Sequence, residues 1–348
     1  MIRQAKGNLL EDSAEALVNT VNCVGFMGKG IALQFKRAFP DNFSEYAKAC
    51  RADRLVPGTM LIHRTGKLVN PLYVINFPTK RHWRGKSRLD DIKSGLIALV
   101  SDIRRLGIRS VAVPPLGCGN GGLNWQTVRP LIEKAFGELP DVDVRLYAPV
   151  GAPNAATMPV RTKHPSMTRA RALLLMLMSE YQQSAYRLTL LEIQKLAYFL
   201  QVSGEPLRLR YQAGTYGPYA DNLNKVLEIM EGHFTRGLGD EPKPDREIEV
   251  FPQAVNEARE FMSQHTETHT LLERVLSIVR GFETPYGMEL LSSVHWVATN
   301  SSSTPTRVAQ VVQAVHQWND RKRRMMRPEH IDIAWHHLQD VGLVEQIN

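Results

Sequence analysis

The chain is poor in cysteine and has no long apolar run. Cys23, Cys50 and Cys118 are its three cysteines in 348 residues. Odd in number and widely spaced, they form neither a disulfide framework nor a C-x-x-C metal motif. No stretch approaches the ~20 apolar residues of a membrane-spanning helix, and the N-terminal MIRQAKGNLLEDSAEA has no apolar signal core. The expectation is a protein of the reducing cytoplasm with no membrane contact. Two nucleotide signatures are also missing. Lys29 does not stand in a G-x-x-x-x-G-K-[ST] loop. G-x-G-x-x-G is poorly matched, and no acidic residue follows at the ribose-binding distance. Walker-type hydrolysis and dinucleotide-dependent redox chemistry are thereby disfavoured, and no cofactor is expected. His330, His336 and His337 lack metal-ligand spacing, so no metal is expected and these histidines read as decoration of a helix.

Acidic charge is scarce in one half only. Residues 1–150 hold 22 Lys+Arg against 13 Asp+Glu, a net +9, whereas residues 151–348 hold 21 against 22, a net −1. A basic first half predicts an anionic partner, and the neutral second half predicts a different task. The length favours two domains. Residues 1–152 read as one domain, 153–168 (within GAPNAATMPVRTKHPSMT) as a linker without periodicity, and 169–348 as a second domain.

In the first domain, apolar segments alternate with helical patterns. Strands are expected over 2–6, 16–21, 59–63, 72–77, 111–113 and 142–147, and helices over 28–39, 41–51, 90–106 and 125–136. Asp41 is expected to cap the second helix. This alternation predicts an α/β domain, a mixed sheet sandwiched by helices. Two glycine-rich loops punctuate it, Gly25–Gly30 in VNTVNCVGFMGKGIALQF and Gly117–Gly122 in PLGCGNGGL. Each follows an apolar run and precedes a helix. Glycine admits sharp turns and close backbone approach, and the N–H groups opening a helix form a seat for phosphate. Two such loops read as two clamps on one diphosphate. Asn8, Asn19 and Asn22 at strand ends suit hydrogen bonds to ribose hydroxyls or a purine edge, although asparagine is also a turn-former. Cys118 has no local histidine to activate it and reads as a packing residue.

Lys80 closes the apolar run 72–77 in FPTK, where α/β folds place reactive groups. It opens a basic run, Lys80, Arg81, His82, Trp83, Arg84, Lys86 and Arg88, with an aromatic inside it. Cations for phosphates beside a ring for a base suit single-stranded nucleic acid, and Arg81, His82, Trp83 and Arg84 are the expected contacts.

The segments GNLLEDSAEALVNTVNCVGFMGKGIALQFKRAFP, NFPTKRHW and VAVPPLGCGNGGLNW resemble the ADP-ribose-binding macrodomains. More narrowly, they resemble those of the DarG antitoxins, DNA ADP-ribosyl glycohydrolases. The resemblance implies that the chain removes ADP-ribose from single-stranded DNA by hydrolysing the bond from ADP-ribose to a base. It implies that Asn8 and Leu9 hold the adenosine end. Thr20, Val21, Asn22, Gly28, Gly30, Ile31, Ala32, Leu33 and Gln34 of the first loop and its helix would hold diphosphate and ribose, with Thr79, Gly117, Cys118, Gly119, Asn120 and Gly121. Lys80 becomes the catalytic residue, either as a free amine attacking C1″ of the opened sugar to form a Schiff base or as an ammonium stabilising or protonating the departing base. The chain departs from the family in two places. Asn8 stands where many macrodomains carry Asp, and Asn120-Gly121 stands where lysine-dependent relatives have an acidic residue. Two rivals share the pocket, a reader that binds ADP-ribose without turnover and an O-acetyl-ADP-ribose deacetylase.

The second domain reads as mostly helical, over 169–186, 190–202, 218–231, 252–264, 268–282, 285–299, 305–318 and 328–341, with β candidates at 207–211 and 248–251. LTLLEIQKLAYFLQ followed by Tyr216-Gly217-Pro218-Tyr219 resembles the Panacea (SocA-like) antitoxin domain. That resemblance implies direct contact with a cognate DNA ADP-ribosyltransferase toxin of the DarT type. Seven acidic residues, at 240, 241, 245, 247, 249, 257 and 260, are either a surface mimicking DNA or a solvated face. The basic cluster 321–327 reads as solvent-exposed or helix-end charge.

Overall fold

The computed structural model describes residues 1–149, 158–183, 187–238, 243–300 and 307–345. The alternating pattern of the first half folds into one six-stranded sheet. Its elements in chain order are β1 (Ile2–Ala5), a 3-10 turn (Leu9–Glu11), β2 (Ala16–Asn22), α1 (Gly30–Ala38), α2 (Pro40–Arg51), β3 (Leu61–Arg64), β4 (Tyr73–Lys80), α3 (Leu89–Leu106), β5 (Ser110–Val113), α4 (Trp125–Phe136) and β6 (Asp143–Tyr147). The strand order is β1-β6-β5-β2-β4-β3. All pairings are parallel except β3 with β4, so the sheet is mixed, as expected. β2 lies between β4 and β5, and the carboxyl ends of these three parallel strands emerge side by side.

Period-two alternation decides which helices cover which face. Ala16, Val18, Ile75 and Phe77 pack with Ile92, Leu96 and Leu99 of α3 and Val128 and Ile132 of α4. Leu17, Val74 and Ala112 meet Phe35 and Ala38 of α1 with Leu9 and Leu10 of the 3-10 turn. Gly95 lets α3 press onto the sheet, since a Cβ there would lie 2.2 Å from the Phe77 ring.

Two local expectations need correction. Asp41 does not cap α2. Phe39 is the N-cap and Pro40 occupies the first turn, where its fixed φ and missing N–H cost nothing. β3 begins at Leu61 rather than Thr59 because the Thr59 hydroxyl donates to Val56 O at 2.8 Å and closes a turn.

The chain divides into two compact units, Met1–Lys163 and His164–Asn348. Residues 153–157 of the expected linker lie outside the described residues. Arg161, by contrast, packs within the first unit, its N–H donating to Arg37 O at 2.9 Å and its guanidinium lying 5.3 Å over the Phe39 ring.

The second unit is mostly helical: α5 (Arg169–Gln183), α6 (Leu190–Val202), α7 (Asp221–Met230), α8 (Pro252–Ser263), α9 (Glu267–Val279), α10 (Pro285–Asn300), α11 (Val308–Trp318), α12 (Asp320–Met325) and α13 (Pro328–Asp340). Two small hairpins punctuate it, β7 (Gln212–Gly214) with β8 (Gly217–Tyr219), and β9 (Thr235–Arg236) with β10 (Glu249–Val250). Leu207–Tyr211 is not a strand. Side chains take over its ladder bonds, Leu209 exchanging two hydrogen bonds with Gln201 and Arg210 N donating to Asn222 Oδ1. Pro218 belongs to β8, so α7 starts at Asp221 rather than Pro218.

The basic cluster at 321–327 is only partly exposed. Lys322 is fully buried, donating to Glu289 Oε1 and Ser293 Oγ, each at 2.9 Å, and Arg321 pairs with the same carboxylate. In the acidic stretch, Asp240 and Glu241 lie outside the described residues and Glu249 pairs with Arg236 at 2.6 Å. His330 and His337 are structural, 2.8 Å from the Tyr286 hydroxyl and from Ile278 O respectively. Among the described residues no His, Cys, Asp or Glu cluster is placed to hold a metal ion, and no helix is long and apolar enough to cross a membrane.

Candidate active site

The crevice outside the carboxyl ends of parallel strands is where such sheets bind ligands. Here β2 runs into the first glycine loop, β4 ends on Lys80 and β5 runs into the second loop. In the β2–β4 register Asn22 lies opposite Lys80, after an irregularity between Val21 and Asn22. Lys80 Nζ donates to Asn120 O of the second loop. Gly30, at φ +59°, brings the start of α1 against the same residue, since a Cβ there would sit 3.2 Å from Asn120 Nδ2. Asn22, Gly30, Lys80 and Asn120 therefore converge, although 98 positions separate the first from the last in the sequence.

Asn22 is buried and its amide is occupied. Oδ1 accepts from Val24 N at 3.0 Å and Phe26 N at 3.4 Å, while Nδ2 donates to Phe26 O. The fully buried Tyr46 of α2 completes the knot. Its hydroxyl lies 2.8 Å from Asn22 O and 3.0 Å from Asn22 Oδ1. Burial pushes the Tyr46 pKa well up, so the phenol stays a donor. Asn22 thus fixes the course of the first loop. Asn19 is internal as well, donating to Asn76 Oδ1 at 2.9 Å, and Asn76 donates to Asn42 Oδ1 at 2.6 Å. This amide chain ties β2, β4 and α2 together.

In α1 the side chains of Ala32, Leu33 and Gln34 are buried and Ile31 packs toward Leu9 and Leu10. What the helix offers the crevice is backbone N–H at its first turn, and Lys29 gives no side-chain cap to that turn. Val21 and Thr79 are buried neighbours of the strand ends, joined by Thr79 Oγ1 donating to Val21 O at 3.4 Å, and Thr20 is half-buried on β2. Asn8 caps the 3-10 turn, accepting from Leu10 N at 3.1 Å, with Leu9 buried behind it.

The second loop is a tight nest. Leu123 N donates to Gly117 O at 3.0 Å, and Ser87 N donates to Gly121 O at 3.0 Å. Segment 80–87 is therefore pinned to this loop at both ends, by Lys80 and by Ser87. Cys118 Sγ donates to Leu116 O at 3.4 Å, and burial pushes its thiol up to about 11, so it is no thiolate at neutral pH. Gly28 and Gly119 differ from the other loop glycines. Neither has positive φ, and a Cβ on either would meet nothing within 4 Å. No packing within the chain requires glycine there, and bare backbone in both loops faces open space.

Lys80 is half-buried, and desolvation lowers its pKa below the ordinary 10.5. Beyond it, Arg81 is not a free cation. It grips the buried carboxylate of Asp91 through Nε at 3.2 Å and Nη2 at 3.0 Å. His82, Trp83, Arg84, Lys86 and Arg88 are exposed. A separate cleft of about 660 Å³ is lined by Cys23, Val56, Pro57, Arg81, Asp90, Asp91 and Ser94. Lys80, Gly30 and Asn120 do not line it, so it neighbours the loop cradle rather than forming it. Tyr46, Ser87 and Asp91 escaped the sequence reading because each acts through a partner distant in sequence.

Comparison with known proteins identifies relatives of the chain. The Macro domain family model matches residues 18–132. A DNA ADP-ribosyl glycohydrolase of Thermus aquaticus is 45% identical over 335 residues, covering 96% of this chain and 92% of that protein. A DNA ADP-ribosyl transferase–DNA ADP-ribosyl glycohydrolase fusion protein of Thermosipho africanus is 34% identical over 160 residues, 42% of this chain and 41% of the fusion. The solved macrodomain of Mycobacterium tuberculosis DarG is 56% identical, covering 43% of this chain and 98% of its own, with a TM-score of 0.43. The chain belongs to the DNA ADP-ribosyl glycohydrolase (DarG) family.

Proposed function

We propose that the first unit binds the ADP-ribose of an ADP-ribosylated single-stranded DNA between its two glycine loops and that Lys80 releases it from the base. The carrying observation is the convergence of Asn22, Gly30, Lys80 and Asn120 at three adjacent strand ends. The helix start and the bare backbone at Gly28 and Gly119 supply donors and room for a diphosphate. Burial makes the Lys80 ammonium less favourable than it is in water, which eases access to the free amine that the step needs, and Nζ is held at the second loop by donating to Asn120 O. The Lys80 nitrogen bonds C1″ as the C1″–base bond breaks, and the departing base takes up the proton that this nitrogen loses. Water then replaces the lysine at C1″, freeing ADP-ribose and the amine. Incubating an ADP-ribosylated single-stranded oligonucleotide with wild type and Lys80→Ala tests this. Wild type releases ADP-ribose and the variant does not. No release by wild type sinks the activity, and full rate in the variant sinks the role of Lys80.

For the second unit we propose binding of a cognate DNA ADP-ribosyltransferase. Transferase and glycohydrolase share one chain in the Thermosipho africanus fusion, which supports a working association of the two. Co-purification of the full chain with such a transferase tests it, and absence of any complex would leave the antitoxin role purely enzymatic.

A further inference from the structure

The reading above leaves open how the DNA strand itself is held. Two exposed rings flank Lys80 from opposite sides in sequence. Phe26 is 60% exposed and Trp83 44% exposed, and their centroids lie 6.2 Å apart with planes tilted by 46°. Large rings left in water this way are costly unless something covers them. Both are anchored to the reacting end of the sheet. The backbone N–H and C=O of Phe26 are both bonded to the Asn22 side chain, and Asn22 is the register partner of Lys80. Trp83 follows Lys80 by three residues in the segment pinned to the second loop at Lys80 and Ser87. His82 stacks beside Trp83 at 5.5 Å and 28°, and the Arg84 guanidinium lies 4.5 Å over its ring.

The charge around the rings selects the occupant. Arg84, Lys86 and Arg88 are exposed in the same segment, while Arg81 is held by Asp91. Rings interleaved with available cations match a polyanion with unpaired bases, whereas an apolar protein contact would leave those cations to be desolvated without partners. We propose that Phe26 and Trp83 form a split aromatic ledge that stacks an unpaired base next to the ADP-ribosylated nucleotide, with Arg84 serving the adjoining phosphate. A base inside a duplex has both faces covered and cannot reach the ledge, so the ledge selects single-stranded substrate. This rests on the glycohydrolase reading and adds a specificity-determining subsite to it.

The test compares two substrates in the full-length protein: an ADP-ribosylated single-stranded oligonucleotide and the same ADP-ribosylated mononucleotide. Phe26→Ala and Trp83→Ala each lower the ratio of kcat/KM on the oligonucleotide to that on the mononucleotide about 10-fold, the scale of one lost base stack, and Trp83→Phe restores most of it. A ratio equal to wild type in both alanine variants overturns the ledge. If wild type cleaves neither substrate, the glycohydrolase reading fails. Anisotropy with an unmodified single-stranded oligonucleotide then still decides the ledge, which predicts about 10-fold weaker binding by each alanine variant and is refuted by equal binding.

Discussion

Two alanine substitutions two residues apart in the second loop have opposite expected consequences. At Gly121 a Cβ would lie 2.2 Å from Gly117 O and 2.3 Å from Ser87 Oγ. The Ser87 hydroxyl can rotate away, but the Gly117 carbonyl is backbone held by Leu123 N, so the loop itself must open. Overpacking of this kind costs about 1–3 kcal/mol. At about 2–4 °C per kcal/mol for a unit of this size, Gly121→Ala lowers the melting temperature of the first unit by roughly 5 °C. It also breaks the bond from Ser87 N and weakens ADP-ribose binding through the displaced loop. Gly119→Ala meets nothing within 4 Å at an ordinary φ. It leaves the melting temperature unchanged or raises it slightly, because alanine narrows the unfolded ensemble. If a ligand's phosphates approach that bare backbone, Gly119→Ala nonetheless raises the ADP-ribose Kd about 10-fold, worth about 1.4 kcal/mol. Calorimetric melting with titration of ADP-ribose reads both quantities. Wild-type affinity in Gly119→Ala would falsify the assignment of that open space to the ligand, and an unchanged melt in Gly121→Ala would refute the steric argument.

The pH–rate profile reports the state of Lys80. Its pKa is lowered by burial, so activity rises with pH through a limb below the ordinary lysine value if the amine attacks, and Lys80→Arg is inactive; a falling limb with an active arginine variant would favour the ammonium role. Tyr46→Phe strips a donor from the buried Asn22 carbonyl, costing about 1–2 kcal/mol, and raises KM with the loosened first loop; an unchanged KM would detach Tyr46 from the site. In the helical unit, Lys195 is buried with Nζ donating to Pro218 O at 2.7 Å, and burial lowers its pKa to about 7 from 10.5. Between those values the unfolded chain holds a proton that the folded chain lacks, so Lys195 makes stability rise with pH by up to about 1.4 kcal/mol per unit. Lys195→Met therefore flattens the pH dependence of denaturant midpoints between pH 7 and 10, and an unchanged slope would contradict the assignment.

What was legible in the sequence was whatever local pattern decides. The expected span 125–136 is the span of α4, where Asn124 caps the helix by accepting from Gln126 N at 2.8 Å. α3 ends at Leu106, the expected residue, where Gly107 takes the left-handed conformation that closes a helix. The glycine loops and Lys80 stood at strand ends that the apolar runs announced. Patterns failed where a distant residue supplied the deciding partner. Leu207–Tyr211 has the composition of a strand, but Gln201 and Asn222 take its backbone bonds. The cluster at 321–327 looks solvated until Glu289, a third of a hundred residues earlier, draws Lys322 inside.

Asn22 is the sharpest instance, because its two readings have the same local signature. An asparagine at a strand end before glycines is equally a ligand for a sugar and the knot of a turn. Tyr46, which is 24 positions away, decides the geometry by taking up the Asn22 oxygens from below. With its amide spent on Val24 and Phe26, Asn22 shapes the cradle instead of lining it with a free amide. The same bonds carry Phe26 to the mouth beside Trp83. One buried side chain thus sets the phosphate loop on one side and the exposed ring on the other, so substitution of Asn22 disturbs ADP-ribose affinity and preference for the longer strand together. Phe26→Ala disturbs only the second, and that separation distinguishes a residue that builds the site from one that touches the DNA.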